Sequence, residues 1–136
     1  QEDVNPGYIV PKMFTMRLQN MMDEYAGGVT AQFTTSKANL DTALNLLGLL
    51  KEDSEKLGAK DLHQLMRAWE NYHRMYQAES HVRTILYREE TRWPGYYFRS
   101  DKPTMDPKWE CFVNCRMDPN SEEWEMKKVD IKKVFE

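Results

Sequence analysis

The stretch Asp61-Leu62-His63-Gln64-Leu65-Met66-Arg67-Ala68-Trp69-Glu70-Asn71-Tyr72-His73-Arg74-Met75-Tyr76 sets the architecture of the chain. Through it and beyond, Leu62, Leu65, Met66, Trp69, Tyr72, Tyr76, Val82 and Leu86 recur mostly at three- and four-residue intervals. That spacing places them on one stripe of a 3.6-residue helix. The reading predicts a helix from about 62 to 89, roughly 40 Å long, with that stripe buried. Asp61 and Gln64 have the spacing of a capping box. Arg67, Glu70, Arg74, Glu79, Arg83, Arg88, Glu89 and Glu90 sit between the stripe positions, and Glu70 is placed to pair with Arg67 and Arg74 across one turn.

Two further helices precede it. Pro11 suits a first helical position, and Phe14, Leu18, Met21, Met22 and Tyr25 follow at helical spacing until Gly27-Gly28 supplies a C-terminal cap. After a polar connection from Thr30 to Thr35, Ser36 is an N-cap. Leu40, Ala43, Leu44, Leu47 and Leu50 make the next buried stripe, which Gly58 closes. Residues 1–10, with Asn5-Pro6-Gly7, read as an irregular lead-in. Short links between helices predict an antiparallel three-helix bundle over 11–93. Trp93-Pro94-Gly95 stops the long helix, and 94–136 read as an extended segment, a small β-hairpin and a tail packed on the bundle. Trp109, Cys111, Val113 and Cys115 alternate with Glu110, Phe112, Asn114 and Arg116; Asp118 to Ser121 turn, and Trp124 and Met126 begin a second run. A basic tail is expected around Lys127 to Lys133. The fold class is mainly α, in one domain.

Composition excludes several functions. The 136 residues carry 19 basic and 22 acidic side chains, a net charge of −3, which offers no general attraction to nucleic acid or anionic membranes. The longest apolar run, Leu46 to Leu50, is far short of a membrane span. Gln1-Glu2-Asp3 are acidic with no apolar core behind them, so no secretory leader is expected. On a strand, Cys111 and Cys115 stand about 13 Å apart, beyond the reach of a disulfide. Two reduced thiols and a reducing, cytoplasmic setting are expected. His63, His73 and His81, ten and eight residues apart, share no helix face and make no metal site; His73, beside Tyr72, reads as a buried or half-buried hydrogen bonder. Gly27-Gly28 lacks the strand-loop-helix setting of a phosphate cradle. Glu89-Glu90 beside Arg92 read as a charged helix end rather than an acid/base pair. No catalytic, cofactor-binding or metal-ligating residue is expected in this chain.

The densest feature is Glu90-Thr91-Arg92-Trp93-Pro94-Gly95-Tyr96-Tyr97-Phe98-Arg99-Ser100-Asp101. Aromatic rings and Arg side chains together mark desolvated protein interfaces. Arg92, Trp93, Tyr96, Tyr97, Arg99 and Asp101 are therefore the candidate docking residues.

That segment, with Met22-Asp23-Glu24-Tyr25-Ala26-Gly27-Gly28, Arg67-Ala68-Trp69-Glu70-Asn71-Tyr72-His73 and Trp109-Glu110-Cys111-Phe112-Val113-Asn114, resembles the C-terminal region of the α subunit of dissimilatory adenylylsulfate reductases. More distantly, Arg92, Gly95, Arg99, Asp101 and Pro103 resemble the domain-end pattern of succinate dehydrogenase and fumarate reductase flavoproteins. The resemblance implies a parent enzyme that interconverts adenosine 5′-phosphosulfate (APS) with AMP and sulfite. It implies FAD in the parent α subunit and two [4Fe–4S] clusters in a partner β subunit. It also implies that the FAD- and substrate-binding residues lie upstream, and that this region docks against the FAD-binding and capping domains. Cys115 departs from the small polar residue that the resemblance leads one to expect. A free-standing helical interaction module using the same edge is the competing reading; a small self-sufficient enzyme is the weakest, because no nucleophile, base and oxyanion arrangement can be assembled.

Overall fold

A computed structural model describes residues 7–92 and 97–134. Helices α1 (Pro11–Tyr25), α2 (Lys37–Ser54) and α3 (Leu62–Tyr87) form the body. Their ends follow the expected chemistry. Pro11 opens α1, where its missing N–H removes no helical bond. Gly27 follows the last turn with a φ of +79°, in the left-handed region that glycine adopts freely. The Ser36 hydroxyl accepts from the Asn39 N–H at 3.2 Å, and the Asp61 carboxylate from the Gln64 N–H at 2.8 Å. Gln64 answers with its side-chain oxygen on the Lys60 N–H at 3.0 Å, so the box closes one residue ahead of the cap.

Backbone ties orient the helices. The Ile9 N–H donates to the Lys56 carbonyl at 2.8 Å and the Gly58 N–H to the Ile9 carbonyl at 3.2 Å, joining the start of α1 to the end of α2. At the other end the Thr35 hydroxyl donates to the Tyr25 carbonyl at 2.7 Å. These two helices are thus antiparallel, and α3 returns antiparallel to α2. The core is Phe14, Leu18 and Met21 from α1, Leu40, Ala43, Leu47 and Leu50 from α2, and Met75, Ala78 and Val82 from α3. Each large apolar side chain buried there contributes about 1.5–3 kcal/mol. Asn71 is buried among them, its amide donating to the Pro11 carbonyl at 2.8 Å and accepting from the Thr15 hydroxyl at 2.7 Å. Both polar ends are satisfied, as a buried amide requires.

The stripe expected on α3 is not its core face. Of those eight residues only Val82 is buried, and Tyr76 and Leu86 are partly so. Leu62, Leu65, Met66, Trp69 and Tyr72 are exposed. At 100° per residue, the inner face formed by Gln64, Ala68, Asn71, Met75, Ala78 and Val82 lies roughly 80–140° away from Leu65, Trp69 and Tyr72. The inner face of the first half of α3 is small or polar because the start of α1 is hydrogen-bonded to Asn71 there. His73, expected in a buried or half-buried position, is exposed beside the Trp69 and Tyr72 rings. The helix also ends at Tyr87, two residues early, because Arg88 takes extended backbone.

The remainder is a hairpin and a short ladder. Strands β3 (Cys111–Met117) and β4 (Trp124–Asp130) pair antiparallel from Cys111↔Asp130 to Met117↔Trp124. The expected basic tail is therefore the second strand followed by a 3-10 helix, Ile131–Val134: Lys127, Lys128 and Val129 continue the ladder begun by Trp124 and Met126, paired with Asn114, Val113 and Phe112. The hairpin leans on α2 and α3 through an ion pair between Lys51 and Glu122 and through the Arg83 guanidinium, 5.6 Å from the centre of the Trp124 ring. Cys111 and Cys115 are unbridged and half-buried on one face of β3. A pairing with no local signal joins β1 (Thr34–Thr35) in parallel to β2 (Phe98–Arg99).

Met75→Ala is expected to destabilise the chain by about 2–5 kcal/mol, and Trp69→Ala to stay within about 0.5 kcal/mol. Urea unfolding of both variants measures the contrast, and the reverse order would place the core on the other face of α3.

Candidate functional site

Beyond α3 the chain is no longer helical, and Arg88, Glu90 and Arg92 follow one another at two-residue spacing. Alternate residues of an extended chain point the same way, so the three charges converge. The Glu90 side chain is fully buried. Its Oε1 accepts from Arg88 Nη1 at 2.7 Å and Arg92 Nε at 2.6 Å; its Oε2 accepts from Arg92 Nη2 at 3.0 Å and from the Asp106 N–H at 2.9 Å. Burial pushes the carboxyl upward, but the bonds from Arg92, the Asp106 N–H and Arg88 outweigh it and hold the group down at about 2. Arg88 has further donors to place: Nη1 also reaches the Trp109 carbonyl at 2.8 Å, and Nη2 the Cys111 carbonyl at 2.7 Å. Trp109 is buried with its edge on Tyr87 and the Lys128 ammonium 3.4 Å from its ring centre.

Arg99 organises a second centre. It is buried, and its Nη1 donates to the carbonyls of Ile85 (3.2 Å), Leu86 (3.2 Å) and Arg88 (2.9 Å). The first two belong to the last turn of α3 and the third to the residue that caps it, where carbonyls lack helical partners and a cation is favoured. Nε and Nη2 donate to the two oxygens of Asp101 at 3.2 and 2.5 Å. Partial burial raises the Asp101 carboxyl, yet Arg99 and the Lys37 N–H at the start of α2 bring it below its ordinary value. Arg99 thus holds the end of α3, and the β1–β2 ladder, with Thr35 opposite Arg99, sets it beside the residues that lead into α2. Thr91, also buried, donates its hydroxyl to the Lys102 carbonyl at 2.7 Å and accepts from the Arg99 N–H at 3.0 Å.

The candidate docking residues are placed differently from one another. Arg92 is half-buried on Glu90, Arg99 is buried inside the chain, and Asp101 is at the surface on Arg99. Tyr97 is half-buried; its phenol oxygen is buried without a hydrogen-bond partner among the described residues, and burial holds its ionisation above the ordinary range. It borders a cavity of about 600 Å³ shared with Arg88, Arg92, Trp109 and Ile131. Trp93 and Tyr96 lie outside the described residues. Glu90, Arg88, Thr91 and Asp106 were not singled out as functional by sequence reasoning. The signal was the Arg-x-Glu-x-Arg spacing, masked by extending the helix to 89.

The described residues offer no fit for a dinucleotide. Gly27-Gly28 follows the last turn of α1, and a Cβ on Gly28 would lie 2.5 Å from the Asp23 Cα, so this is a tight helix end and not a phosphate cradle. Among the described residues no group of three or more His, Cys, Asp or Glu side chains is placed to hold a metal ion. No helix among them is long and apolar enough to cross a membrane.

No family model matches the chain. Its fold, however, recurs within longer chains: the Mycobacterium smegmatis Sdh1 complex in the apo form (TM-score 0.74, 19% identity, 94% of this chain and 22% of that one) and an E. coli quinol fumarate reductase FrdA chain (TM-score 0.80, 16% identity, 96% and 22%). At that identity the likeness is one of fold. A nearer likeness is to the Megalodesulfovibrio gigas adenylylsulfate reductase subunit alpha, 53% identical over 121 residues, 88% of this chain and 18% of that one. Two solved structures agree, adenosine-5-phosphosulfate reductase in complex with sulfite and the adenylylsulfate reductase of Archaeoglobus fulgidus. Each has a TM-score of 0.91 and 52% identity, covering all of this chain and 21% of that chain. The resemblance read from the sequence is borne out: the chain is homologous to a segment of adenylylsulfate reductase alpha subunits, and it spans about a fifth of their length.

Glu90→Gln is expected to destabilise the chain by about 3–5 kcal/mol, since two guanidiniums lose their shared counter-charge. The depressed carboxyl also sets a pH dependence. Its contribution is present above the ordinary value of 4.5 and is lost as pH falls through about 2. Unfolding free energy followed from pH 5 to pH 2 is expected to fall in the native chain and to fall less in the Glu90→Gln variant; parallel curves would contradict the assignment.

Proposed function

We propose that this chain is a helical docking segment of the flavoprotein subunit of an adenylylsulfate reductase. The parent enzyme would convert APS and two electrons into AMP and sulfite, or run the reverse, with FAD in the same subunit and electrons from a β subunit carrying [4Fe–4S] clusters, in the cytoplasm. The observation that carries this reading is the 52% identity with a TM-score of 0.91 over the full chain. The segment itself supplies structure rather than chemistry. Its candidate contact edge toward the FAD-binding and capping domains is Arg92, Trp93, Tyr96, Tyr97, Arg99 and Asp101. Within that edge, Arg99 and Asp101 hold the backbone at the junction of α3 and α2. Tyr97, whose phenol oxygen has no hydrogen-bond partner among the described residues, and Arg92 are the groups that a neighbouring domain would meet.

The intact mass of the native polypeptide tests the reading. A mass several times 16.2 kDa with bound FAD is expected. A mass near 16.2 kDa would leave the free-standing interaction module in its place. The isolated 136-residue chain is expected to bind no FAD in a titration. Arg92→Ala is expected to lower the melting temperature of the whole subunit more than that of the isolated segment, and equal shifts would count against docking at this edge.

A further inference from the structure

The two edges of the hairpin are not alike. Beyond the strands, the Asp118 N–H donates to the Glu123 carbonyl at 2.9 Å, and bonded pairs alternate along an antiparallel ladder. Arg116, Asn114 and Phe112 therefore exchange their backbone bonds with Glu125, Lys127 and Val129 of β4. Cys111, Val113, Cys115 and Met117 turn their N–H and C=O groups to the outer side of β3. The Cys111 carbonyl agrees with this parity, because it accepts from Arg88 Nη2 at 2.7 Å, outside the ladder. No hydrogen bond from a described residue reaches the outward backbone groups of Val113, Cys115 or Met117. Beside this stretch, Val113 to Arg116 border a hollow of about 600 Å³, with Glu125 and Lys127 across the ladder. Charged side chains, proline and bulges are what keep an exposed strand edge from pairing. The β4 strand carries Glu125, Lys127, Lys128 and Asp130. The β3 strand has Arg116 as its one charge and no proline, and its register runs from Cys111 to Met117 without a bulge. Its outer edge is thus the one open to another strand.

We propose that β3 receives a further strand, supplied by the part of the same polypeptide that lies outside these 136 residues. Outward N–H and C=O groups that recur every second residue are met by an extended segment laid along the edge, which is how strand addition works. Size and position together select the source of that segment. The free stretch from Val113 to Met117 is one strand wide and roughly 13 Å long. That is far less surface than the ~1,200 Å² or more that a stable interface between separate chains buries. A segment of the same polypeptide gives up little further translational freedom when it docks, and this chain spans only about a fifth of its relatives. The root of the edge is also continuous with the contact edge proposed above, since Cys111 and Phe112 border the cavity of about 600 Å³ that Arg92 and Tyr97 share. Val113, Cys115 and Met117 are half-buried on one face of β3, and Asn114 and Arg116 are exposed on the other. The incoming strand is therefore one that alternates apolar with polar residues. The inference rests on the reading of this chain as part of a longer subunit.

Hydrogen exchange in the native long subunit, freed of its partner subunit and resolved to single amides by mass spectrometry, tests the edge. A bare edge gives an alternating pattern: Phe112, Asn114 and Arg116 exchange slowly, and Val113, Cys115 and Met117 about a hundredfold faster or more. With the added strand, both sets are expected to exchange within about tenfold of each other. The alternating pattern overturns the proposal. So does protection of Val113, Cys115 and Met117 that arises only with the partner subunit, which assigns the edge to that chain. Protection that grows with the concentration of the lone subunit assigns it to a second copy and overturns the proposal equally. Cys115→Pro removes an N–H that β4 does not use, at an edge position where a strand tolerates proline. It is expected to speed exchange at Val113 and Met117 about tenfold or more, with Asn114 and Arg116 changing less. Unchanged rates at Val113 and Met117 show a surface that is covered but not paired, and overturn the proposal. Flavin absorbance on the same samples separates the two readings. Uniform protection without flavin sinks the reductase assignment and leaves the added strand standing; flavin with the alternating pattern does the opposite.

Discussion

A carboxylate without access to water needs donors enough to replace it, and Glu90 obtains four hydrogen bonds from three residues. Much of the C-terminal third of the chain is arranged around that requirement. An ionised group buried without such partners would neutralise instead. Meeting the need draws Arg88 and Arg92 to one side of the chain just after α3 ends, and pulls the loop at Asp106 against them. Arg88 then spends its remaining donors on the carbonyls of Trp109 and Cys111, which suspends the hairpin from the end of the long helix. A two-stranded hairpin alone is marginal in water. Here it is held by a charge cluster at its root and by the Lys51–Glu122 and Arg83–Trp124 contacts nearer its tip.

Arg99 solves a separate problem at the same place. The last carbonyls of a helix have no internal partners, and three near the end of α3 are met by one guanidinium. Asp101 in turn neutralises that guanidinium. The β1–β2 ladder, with Thr35 opposite Arg99, then fastens the end of α3 to the residues that lead into α2. The segment that sequence reasoning marked as an interface thus also serves as an internal fastening.

The helices were legible because their signals are local: Pro11, Gly27, Ser36 and Asp61 each act within a turn, and the stripes of α1 and α2 are unambiguous. The hairpin was legible from the alternation at Trp109 to Cys115. The inner face of α3 was not, because apolar size points to Leu65, Trp69 and Tyr72, while packing selected Gln64, Ala68 and Asn71, which leave room for α1. Nor was the Glu90 cluster. Its two-residue period becomes visible only once the helix is known to stop at Tyr87, and its fourth bond comes from Asp106, sixteen residues further on. The β1–β2 pair depends on contacts across more than sixty residues and has no local signal. Resemblance to a known family supplied the functional reading, which charge, composition and motifs could not.

If Glu90 is what couples the hairpin to the helices, the two should open together. Native-state hydrogen exchange can compare amides in β3 and β4 with those of α3, in the native chain and in Glu90→Gln. Coupling requires similar opening free energies for hairpin and helix in the native chain, with the hairpin amides opening selectively in the variant. Hairpin amides that already exchange independently in the native chain, or that keep their protection after the substitution, would show that the fold does not depend on this carboxylate.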